Sequence, residues 1–418
     1  MSGLAGRPGP AAVRLFVGKG GAGKTTLAAA TALAAARSGV PTLVVSLDQA
    51  HSLTDVLAVD PASTGSVDAR IVPVAEGLDA LEIDSLALLE QRFALLTALA
   101  AAGGAHGHGD RFGIPAAEEL TGLPGAQEIL ALGEVARLAE SGRWGEVIVD
   151  LPASADAFRM LAAPATASEY IERIWPRHSR IVAATGADPR LALVVALVDR
   201  VVEHVSTVQD LLGDRTRTRV DLVATADRLG IAETRRLRSW TALSGLRLER
   251  VILNRIVPDL PAEETGPAAA WLAEQRGGQR RIVAEIASTL GDVTVVECEQ
   301  RCAEPVGLAS LAALAESLHP DGAAPLTQED AGLEPVRVQH ESGTGVDAVY
   351  TMRMHLPLAD AASLTLGRVD DDLVIGADGL RRRVRLASGL RRCTVAGAEF
   401  EGSDLLVRFR PDPAVWPR

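Results

Sequence analysis

The sequence is poor in several residue types, and each shortage excludes a class of protein. Three cysteines among 418 residues cannot form a disulfide framework, which indicates a reducing compartment. With a formal charge of −12 and no run of basic residues, the chain is not expected to bind nucleic acid. Its most apolar stretches, such as 191–202, are interrupted by charges before they reach the roughly 20 residues of a bilayer span. Since residues 1–12 also lack the charged start and apolar run of a secretion signal, we predict a cytoplasmic protein that is not integral to a membrane.

Two other residue types are scarce but stand at informative positions. Lysine supplies only two of the 42 basic residues, and both, Lys19 and Lys24, lie in one glycine-rich stretch. Arginine replaces lysine everywhere else, yet a planar guanidinium cannot take the place of a compact ammonium among phosphate oxygens. Asparagine occurs once, as Asn254, at the end of an apolar run. Its amide can donate and accept hydrogen bonds at once, which suits the edge of an adenine ring, although a turn at a strand end is the alternative.

The apolar pattern of the first three quarters of the chain predicts an α/β fold. Residues 13–17 form an apolar run, a glycine cluster follows, and residues 25–37 form an alanine-rich helical stretch. Further runs have the composition of buried strands, namely residues 42–47, 146–151, 219–224, 249–254 and 292–297. Because helical patterns separate these runs, we predict a mostly parallel sheet covered by helices on both faces. The long interval before the third strand predicts an inserted helical subdomain at about 84–140.

The composition and the apolar pattern of the sequence change after about residue 318. Residues 320–333 are rich in Pro, Gly, Ala and Asp and predict a linker. Beyond the linker, short alternating runs separated by turn residues predict a small antiparallel β-sandwich over 334–411. From residue 334 onward 12 arginines balance 12 acidic residues, so the net charge belongs to the first part. We therefore predict a flexible tail at 1–12, an α/β domain at 13–319, the linker and the sandwich.

One motif joins the first predicted strand to the first predicted helix. Its residues are Gly18, Lys19, Gly20, Gly21, Ala22, Gly23, Lys24 and Thr25, with Thr26 directly after them. The motif fits the phosphate-binding loop of P-loop NTPases, in which backbone N–H groups and a helix N-terminus converge on phosphates. We predict that these residues bind ATP or GTP, that Lys24 contacts the β- and γ-phosphates and that Thr25 holds Mg²⁺. A relic loop that no longer hydrolyses nucleotide is the alternative.

Two carboxylates follow strands that the pattern predicts. Asp48 ends the second strand and Asp150 ends the third, so both should project from the carboxyl edge of the sheet, where ligands of such folds bind. Asp150 has the Walker B position and is predicted to hold Mg²⁺ through water. Asp48 is predicted to orient the attacking water, and a solvated aspartate at a strand end is the alternative.

Beyond the loop, further motifs resemble those of one protein family. They lie at residues 48–55, 123–125, 233–237, 254–258 and 304–308. With the loop, they make nearly the whole chain similar to the ArsA-like arsenite-pump and guided-entry ATPases. Runs in the C-terminal part, among them 350–356 and 381–384, resemble the α-crystallin or small heat-shock-like module appended to some members.

The resemblance implies an ATP-hydrolysing homodimer that opens and closes over a hydrophobic helix-binding surface. In the family this surface serves the targeting of tail-anchored membrane proteins, and other members drive an arsenite pump. The resemblance implies that ATP is the nucleotide and that Lys19, Lys24 and Asp48 are catalytic, with Lys19 reaching the nucleotide of the facing subunit. It also implies that Pro305 and Val306 flank the adenine.

The chain departs from the family pattern at several positions. Residues 151–156 differ from the longer switch that follows the Walker B aspartate in the family, which leaves its coupling to hydrolysis open. Cys298 and Cys302 lack the Cys-x-x-Cys spacing that would clamp two subunits through zinc, and no thiol trio suits arsenite. We therefore expect a zinc-free dimer and disfavour a role in anion efflux.

Two other functions stay open at the level of the sequence. One is a holdase whose β-sandwich binds the partner while ATP locks the dimer. The other is a positioning ATPase of the partition type, which shares Lys19 but does not predict the motif at 304–308. The apolar stretches 86–102 and 157–163 predict either a client groove or ordinary core packing. The His- and Gly-rich segment 106–110 predicts a flexible loop rather than a metal site.

Overall fold

The computed structural model describes most of the chain. Described are residues 9–50, 52–59, 70–92, 125–185, 189–261, 263–291, 293–319, 336–356, 361–377 and 380–416. The predicted linker 320–333, the segment 106–110 and the larger part of the predicted insertion at 84–140 lie outside these residues. Most of the predicted tail 1–12 and His51 lie outside them as well.

The strands and helices of the described residues are numbered here in chain order. The strands are β1 (Ala12–Gly18), β2 (Thr42–Ser46), β3 (Val72–Ala75), β4 (Leu78–Glu82), β5 (Glu146–Asp150), β6 (Thr218–Thr225), β7 (Leu248–Ile256), β8 (Thr294–Glu299), β9 (Val336–Ser342), β10 (Val349–His355), β11 (Thr365–Val369), β12 (Asp372–Ala377), β13 (Leu380–Arg385), β14 (Cys393–Glu401) and β15 (Asp404–Pro411). The helices are α1 (Lys24–Arg37), α2 (Ser52–Leu57), α3 (Ala126–Glu140), α4 (Ser154–Ile174), α5 (Arg177–Ala184), α6 (Pro189–Gly213), α7 (Arg228–Ser244), α8 (Pro267–Leu290) and α9 (Leu308–Leu318).

The chain divides into two compact units. The first comprises Met1–Val223 and Glu297–Gln328, and the second comprises Ala224–Val296 and Glu329–Arg418. The second unit thus combines α7, β7 and α8 of the predicted α/β domain with the predicted sandwich.

The first unit is built on a parallel sheet. Six neighbouring strands lie in the order β3-β4-β2-β5-β1-β6, and within this group only the short β3 runs antiparallel to its neighbour. Every residue of β2 and β5 is buried, as expected for strands covered on both faces. Because parallel strands end at the same edge, the residues that follow β1, β2 and β5 converge there. The prediction of a mostly parallel sheet with helices is confirmed.

Helix α1 fixes the loop that precedes it against the sheet. It is rich in alanine, the residue with the highest helix propensity, and it ends at Arg37 with Gly39 in the left-handed conformation just beyond. The small side chains let the helix lie close to its neighbours, and residues 27–36 are all buried. Helix α9 packs against α1. The start of α1 at Lys24 is therefore held rigidly.

A buried ion triad crosses the middle of the same sheet. Arg14 of β1 donates to Glu146 of β5 at 2.9 Å and pairs with Asp221 of β6 at 3.2 Å. Burial by itself lowers the pKa of Arg14, but the two carboxylates outweigh it and the net shift is upward. The guanidinium therefore stays charged, and the triad favours this register of three neighbouring strands over a shifted one.

The C-terminal part of the second unit consists of two antiparallel sheets. Their strand orders are β14-β15-β10-β9 and β11-β12-β13. They share one apolar core that includes Met352, Ile375 and Phe409. Leu243 of α7 belongs to the same core, so this helix packs against the two sheets. The prediction of a C-terminal antiparallel module is confirmed, although the sequence pattern did not reveal β9, β11 or β14.

Candidate nucleotide-binding site

The backbone between β1 and α1 requires glycine at three positions. Gly21 and Gly23 have φ angles of 78° and 95°, in the left-handed region that strains other residues. A Cβ at Gly18 would lie 2.1 Å from the carbonyl oxygen of Val223 on β6, so a larger residue would separate the two strands. The loop therefore keeps a shape in which its N–H groups can approach a phosphate closely.

The two lysines of the loop have different surroundings. Lys24 is 5% exposed, and its Nζ lies 3.5 Å from the carbonyl oxygen of Lys19, at the long limit of a hydrogen bond. In the described part of the chain no carboxylate lies within ion-pair distance of this buried ammonium. Lys19 is exposed, and its ammonium has no partner among the described residues. A buried cation that is weakly satisfied by the protein suits an anionic ligand, and the exposed one is available to a second molecule.

Two hydroxyls donate to the Walker B carboxylate, and a third contacts one of them. Thr25 Oγ1 donates to Asp150 Oδ2 at 2.7 Å, and Ser46 Oγ donates to the same oxygen at 3.3 Å. Thr25 Oγ1 also lies 3.2 Å from Ser52 Oγ at the start of α2. The register of β2 with β5, in which Ser46 stands beside Asp150, brings these groups together. The structure thus unites the two predicted magnesium ligands, Thr25 and Asp150.

The environment of Asp150 is that of a carboxylate that lacks one partner. It is fully buried, and its Oδ1 has no hydrogen-bond partner in the described structure. Burial raises its pKa to about 6, the hydrogen bond from Thr25 and the charge of Lys24 lower it, and nearby Asp48 raises it. Mg²⁺ prefers hard oxygen ligands and keeps several waters, so the hydroxyl of Thr25 and the unpartnered oxygen of Asp150 fit this ion.

Asp48 lies at the same sheet edge as Asp150, as predicted from its position after β2. Its Oδ1 accepts a hydrogen bond from the N–H of Ala50 at 3.1 Å, and its own N–H donates to Ser46 Oγ at 3.3 Å. These two bonds shape the turn that leads from β2 toward α2. The side chain is half-buried and lies near Asp150, one of the predicted magnesium ligands, where a water could be oriented.

Glu82 is a residue of this edge that the sequence analysis did not identify. Its Oε1 accepts hydrogen bonds from the N–H groups of Leu53 and Thr54 at 2.9 and 3.0 Å, at the start of α2. Glu82 ends β4, a strand that the apolar pattern did not predict. The sequence therefore offered no reason to place Glu82 at the carboxyl edge of the sheet. Ser46 and Ser52 were missed too, since a serine at the end of a strand or at the start of a helix is common and carries no signal by itself.

The predicted adenine contacts lie in different parts of the chain. In the first unit, Val306 is 44% exposed, and the next residue, Gly307, donates its N–H to the carbonyl oxygen of Val56 in α2 at 2.9 Å. The segment of Pro305 and Val306 is therefore attached to the helix whose Ser52 contacts Thr25. In the second unit, Asn254 lies on β7, and its Oδ1 accepts from the N–H of the next residue at 2.9 Å.

The described residues lack the features that two other kinds of site would require. These residues contain no cluster of three or more His, Cys, Asp and Glu side chains able to hold a metal. Their helices include none that combines the length and the apolar character needed to cross a membrane. The three cysteines are free thiols, and Cys302 is exposed while Cys298 and Cys393 are buried.

Comparison with known proteins gives a family for the whole chain. The family of anion-transporting ATPases, ArsA, matches residues 12–320, and the HSP20-like domain found in ArsA matches residues 347–409. Protein Rv2184c of Mycobacterium tuberculosis is 44% identical over 99% of both chains. Putative arsenical pump-driving ATPase 1 of Aquifex aeolicus is 25% identical over 94% of this chain and 98% of its own. ATPase GET3B of Arabidopsis thaliana is 28% identical over 58% of this chain and 63% of its own.

These matches confirm the resemblance drawn from the sequence motifs and the prediction of ATPase activity. The glycine-dependent loop, the buried Lys24 and the pair of Thr25 and Asp150 are the local structure that such an activity requires. The chain belongs to the ArsA family of anion-transporting ATPases, and it is an ATPase with a C-terminal HSP20-like domain.

Proposed function

We propose that the protein is a homodimeric, ATP-hydrolysing switch whose nucleotide state controls the binding of a hydrophobic protein segment. The observation that carries the proposal is the fully buried Asp150, bonded to Thr25 through one oxygen and without a partner at the other. A carboxylate left in this state costs free energy unless a cation is present. The proposed cation is the Mg²⁺ of a bound ATP.

Each residue of the edge has a proposed part in hydrolysis. The loop N–H groups and Lys24 would hold the phosphates, and Thr25 and Asp150 would hold Mg²⁺. Bound Mg²⁺ would neutralise charge that develops on the phosphate oxygens. Asp48 orients the attacking water from the end of β2. Pro305, Val306 and Asn254 remain the proposed contacts to the adenine.

The proposal of a homodimer is supported by Lys19. Its ammonium is exposed and has no partner in the described structure, although the backbone on both sides of it is fixed by β1 and the glycines. A lysine held at the phosphate loop yet directed to solvent can contact the nucleotide of a second copy. Such a contact makes dimerisation dependent on ATP.

The proposal of a hydrophobic client is supported by an exposed apolar surface on α4, α5 and α6, here called the helical surface. Its members are between 39% and 70% exposed and comprise Tyr170, Ile174, Ile181, Val182, Leu191, Val194, Leu197 and Val201. Those of α6 recur every three or four residues and form one stripe. Apolar side chains gathered in this way mark a binding surface more often than scattered ones do.

The helical surface differs from the stretches that the sequence suggested as a groove. Ala157, Met160 and Leu161, within the stretch 157–163, are buried, so that stretch is largely core. Most of the stretch 86–102 lies outside the described residues. A buried arginine, Arg180, joins the helices of the surface, since it donates to the carbonyl oxygen of Trp175 at 2.6 Å and to Asp199 of α6 at 3.0 Å.

Calorimetry with Mg-ATP tests the nucleotide part of the proposal. We expect the purified protein to bind and hydrolyse ATP, the Lys24→Ala variant to lose binding, and the Asp48→Asn variant to bind without turnover. Light scattering should show an ATP-dependent dimer of Asp48→Asn that Lys19→Ala abolishes. Absence of ATP binding by the native protein, or unchanged binding by Lys24→Ala, contradicts the proposal. Binding without any turnover by the native protein supports instead the ATP-locked holdase.

A fluorescent apolar helical peptide of about 20 residues tests the client part. The ATP-bound Asp48→Asn dimer should bind this peptide, and Val194→Asp or Val201→Asp should weaken the binding about tenfold or more. Leu229→Asp is the matched control, because Leu229 is also exposed, at 63%, but lies on α7. Equal loss in all three variants contradicts the assignment of the helical surface.

A further inference from the structure

Helix α2 contacts both ends of the site in the first unit. Its first residue, Ser52, lies 3.2 Å from the hydroxyl of Thr25, and the carbonyl oxygen of Val56 accepts the N–H of Gly307 at 2.9 Å. The helix has six residues, which is too short to be stable by itself. The buried Leu53 and Leu57 pack the helix against α1 and β4, and the groups that bind its first turn set where Ser52 stands beside Thr25.

Glu82 binds the N-terminal end of α2 through a single oxygen. That oxygen accepts the N–H of Leu53 at 2.9 Å, the N–H of Thr54 at 3.0 Å and the hydroxyl of Thr54 at 3.3 Å. The free N–H groups at the start of a helix favour a negative charge, so an ionised carboxylate is the strongest acceptor available there. The anchor is therefore both directional and charged.

Glu82 itself belongs to the rigid edge of the sheet. It stands beside Ser46 in the register of β4 with β2, and Ser46 stands beside Asp150 in the register of β2 with β5. Three neighbouring strands thus present Glu82, Ser46 and Asp150 in one row. Ser46 and Asp150 contact the proposed magnesium ligand Thr25 or one another, while Glu82 accepts hydrogen bonds from the start of α2.

We propose that Glu82 is a positioning residue for ATP hydrolysis, an inference that rests on the proposed function. By fixing the start of α2, it holds Ser52 beside Thr25 and sets the end of the turn that begins at Asp48. Its hydrogen bonds to Leu53 and Thr54 act on α2 rather than on the phosphates. Phosphate binding depends on β1, the loop and Lys24, so loss of Glu82 leaves ATP affinity nearly intact and lowers the rate of the chemical step.

The test compares Glu82→Gln with a matched control two residues further on. Asp84 Oδ1 accepts the N–H groups of Leu86 and Ala87, both at 3.0 Å, so it makes the same kind of bond to a different segment. We expect Glu82→Gln to lower kcat about tenfold or more and to change the Kd for Mg-ATP by less than about threefold, because small misplacements at a reacting centre are costly. Asp84→Asn should keep kcat within about twofold while lowering Tm to a comparable extent.

Thr54→Val serves as a milder variant if Glu82→Gln does not fold. It removes one of the three bonds to Glu82 and should lower kcat about twofold to threefold at unchanged Kd. A kcat at the native level in these variants, or an equal fall in Asp84→Asn, overturns the proposal. Asp48→Asn is measured in parallel: if it hydrolyses ATP at the native rate, the proposed function fails, whereas an inactive Asp48→Asn beside a fully active Glu82→Gln rejects the role of Glu82 alone.

Discussion

Each unit of the molecule contains a charged side chain that burial has left incompletely bonded. In the first unit it is Asp150, whose Oδ1 has no hydrogen-bond partner in the described structure, and in the second it is Arg382, whose Nη1 has none. Burial shifts both toward the neutral form, since it raises the pKa of Asp150 to about 6 and lowers the pKa of Arg382 to about 10. The same physical signature therefore occurs in both units.

The surroundings of the two charges show that the signature has two different meanings. Asp150 lies among hydroxyls and beside the ammonium of Lys24, at an edge where polar groups converge on one point. Arg382 of β13 lies against Gly245 at the C-terminal end of α7, where partial negative charge gathers, in the joint between that helix and the sandwich. An incompletely bonded charge indicates a ligand site only where its neighbours are also shaped for a ligand.

Replacing Asp150 by asparagine should separate the two meanings most sharply. We expect Asp150→Asn to lower Mg-dependent ATP hydrolysis on the order of 1,000-fold, or about 4 kcal/mol, because a neutral amide does not hold the metal's water. Steady-state kinetics at saturating Mg-ATP measures the effect. Arg382→Met is the control and should keep kcat within about twofold. A large loss of turnover in Arg382→Met would show that its environment also serves the reaction.

A cavity between α7 and the sandwich, within the second unit, should have the next largest effect, which is a loss of unfolding free energy. Leu243 is 2% exposed in the core shared with the sandwich, and Leu243→Ala should cost about 3 kcal/mol of unfolding free energy in urea denaturation. The rate of amide hydrogen exchange in β10 and β15 should also rise in this variant. Leu237→Ala, at another fully buried position of α7 outside that core, should destabilise the protein without raising exchange in those strands first. Unchanged exchange in Leu243→Ala would mean that α7 and the sandwich are not one cooperative unit.

The stability of Asp150→Asn should depend on pH in a way that reports the cost of the buried carboxylate. A raised pKa means that the fold favours the protonated acid, so this stabilisation is present below pH 3.8 and is lost as the pH rises to about 6. At about pH 7.5, without nucleotide, the variant should therefore be more stable than the native protein by on the order of 2–3 kcal/mol.

Urea titrations across the pH range measure this difference. It should disappear near about pH 4, and saturating Mg-ATP should reverse it, because the ligand binds the native carboxylate and not the amide. A variant that is less stable than the native protein at neutral pH would contradict the view that Asp150 is held at a cost until its cation binds.

The phosphate loop could be predicted from the sequence because its structure is local. The strand, the glycines and the helix follow one another directly, and the left-handed φ angles at Gly21 and Gly23 belong to single residues. Asp48 and Asp150 could be added because parallel strands end at one edge, so knowledge of the strands was sufficient. The fold brings together Thr25, Asp48 and Asp150, the residues that the pattern predicted for this edge.

The rest of the edge depends on neighbours that no local pattern reveals. β4 is only five residues long and contains Asp79 and Glu82, so it does not resemble the apolar runs of the other strands. Without β4 there was no reason to place Glu82 beside Ser46. The run of arginines at 381–385 does not by itself show which side chains face inward, but alternation along β13 turns Arg382 inward toward α7 while Arg381 and Arg383 stay exposed.

The smallest expected effect concerns Arg382, the incompletely bonded charge of the second unit. Arg382→Met keeps an unbranched apolar stem and removes a charge that is incompletely bonded, so it should stabilise the protein by about 1 kcal/mol in urea denaturation. Arg381→Met, at the exposed neighbouring position, should change stability by less than about 0.5 kcal/mol. Because the pKa of Arg382 is lowered only to about 10, the gain should be constant between about pH 5 and 8, unlike that of Asp150→Asn. If Arg382→Met is instead less stable, attraction to the end of α7 outweighs the cost of burial, and the arginine is a bond between helix and sandwich rather than a tolerated charge.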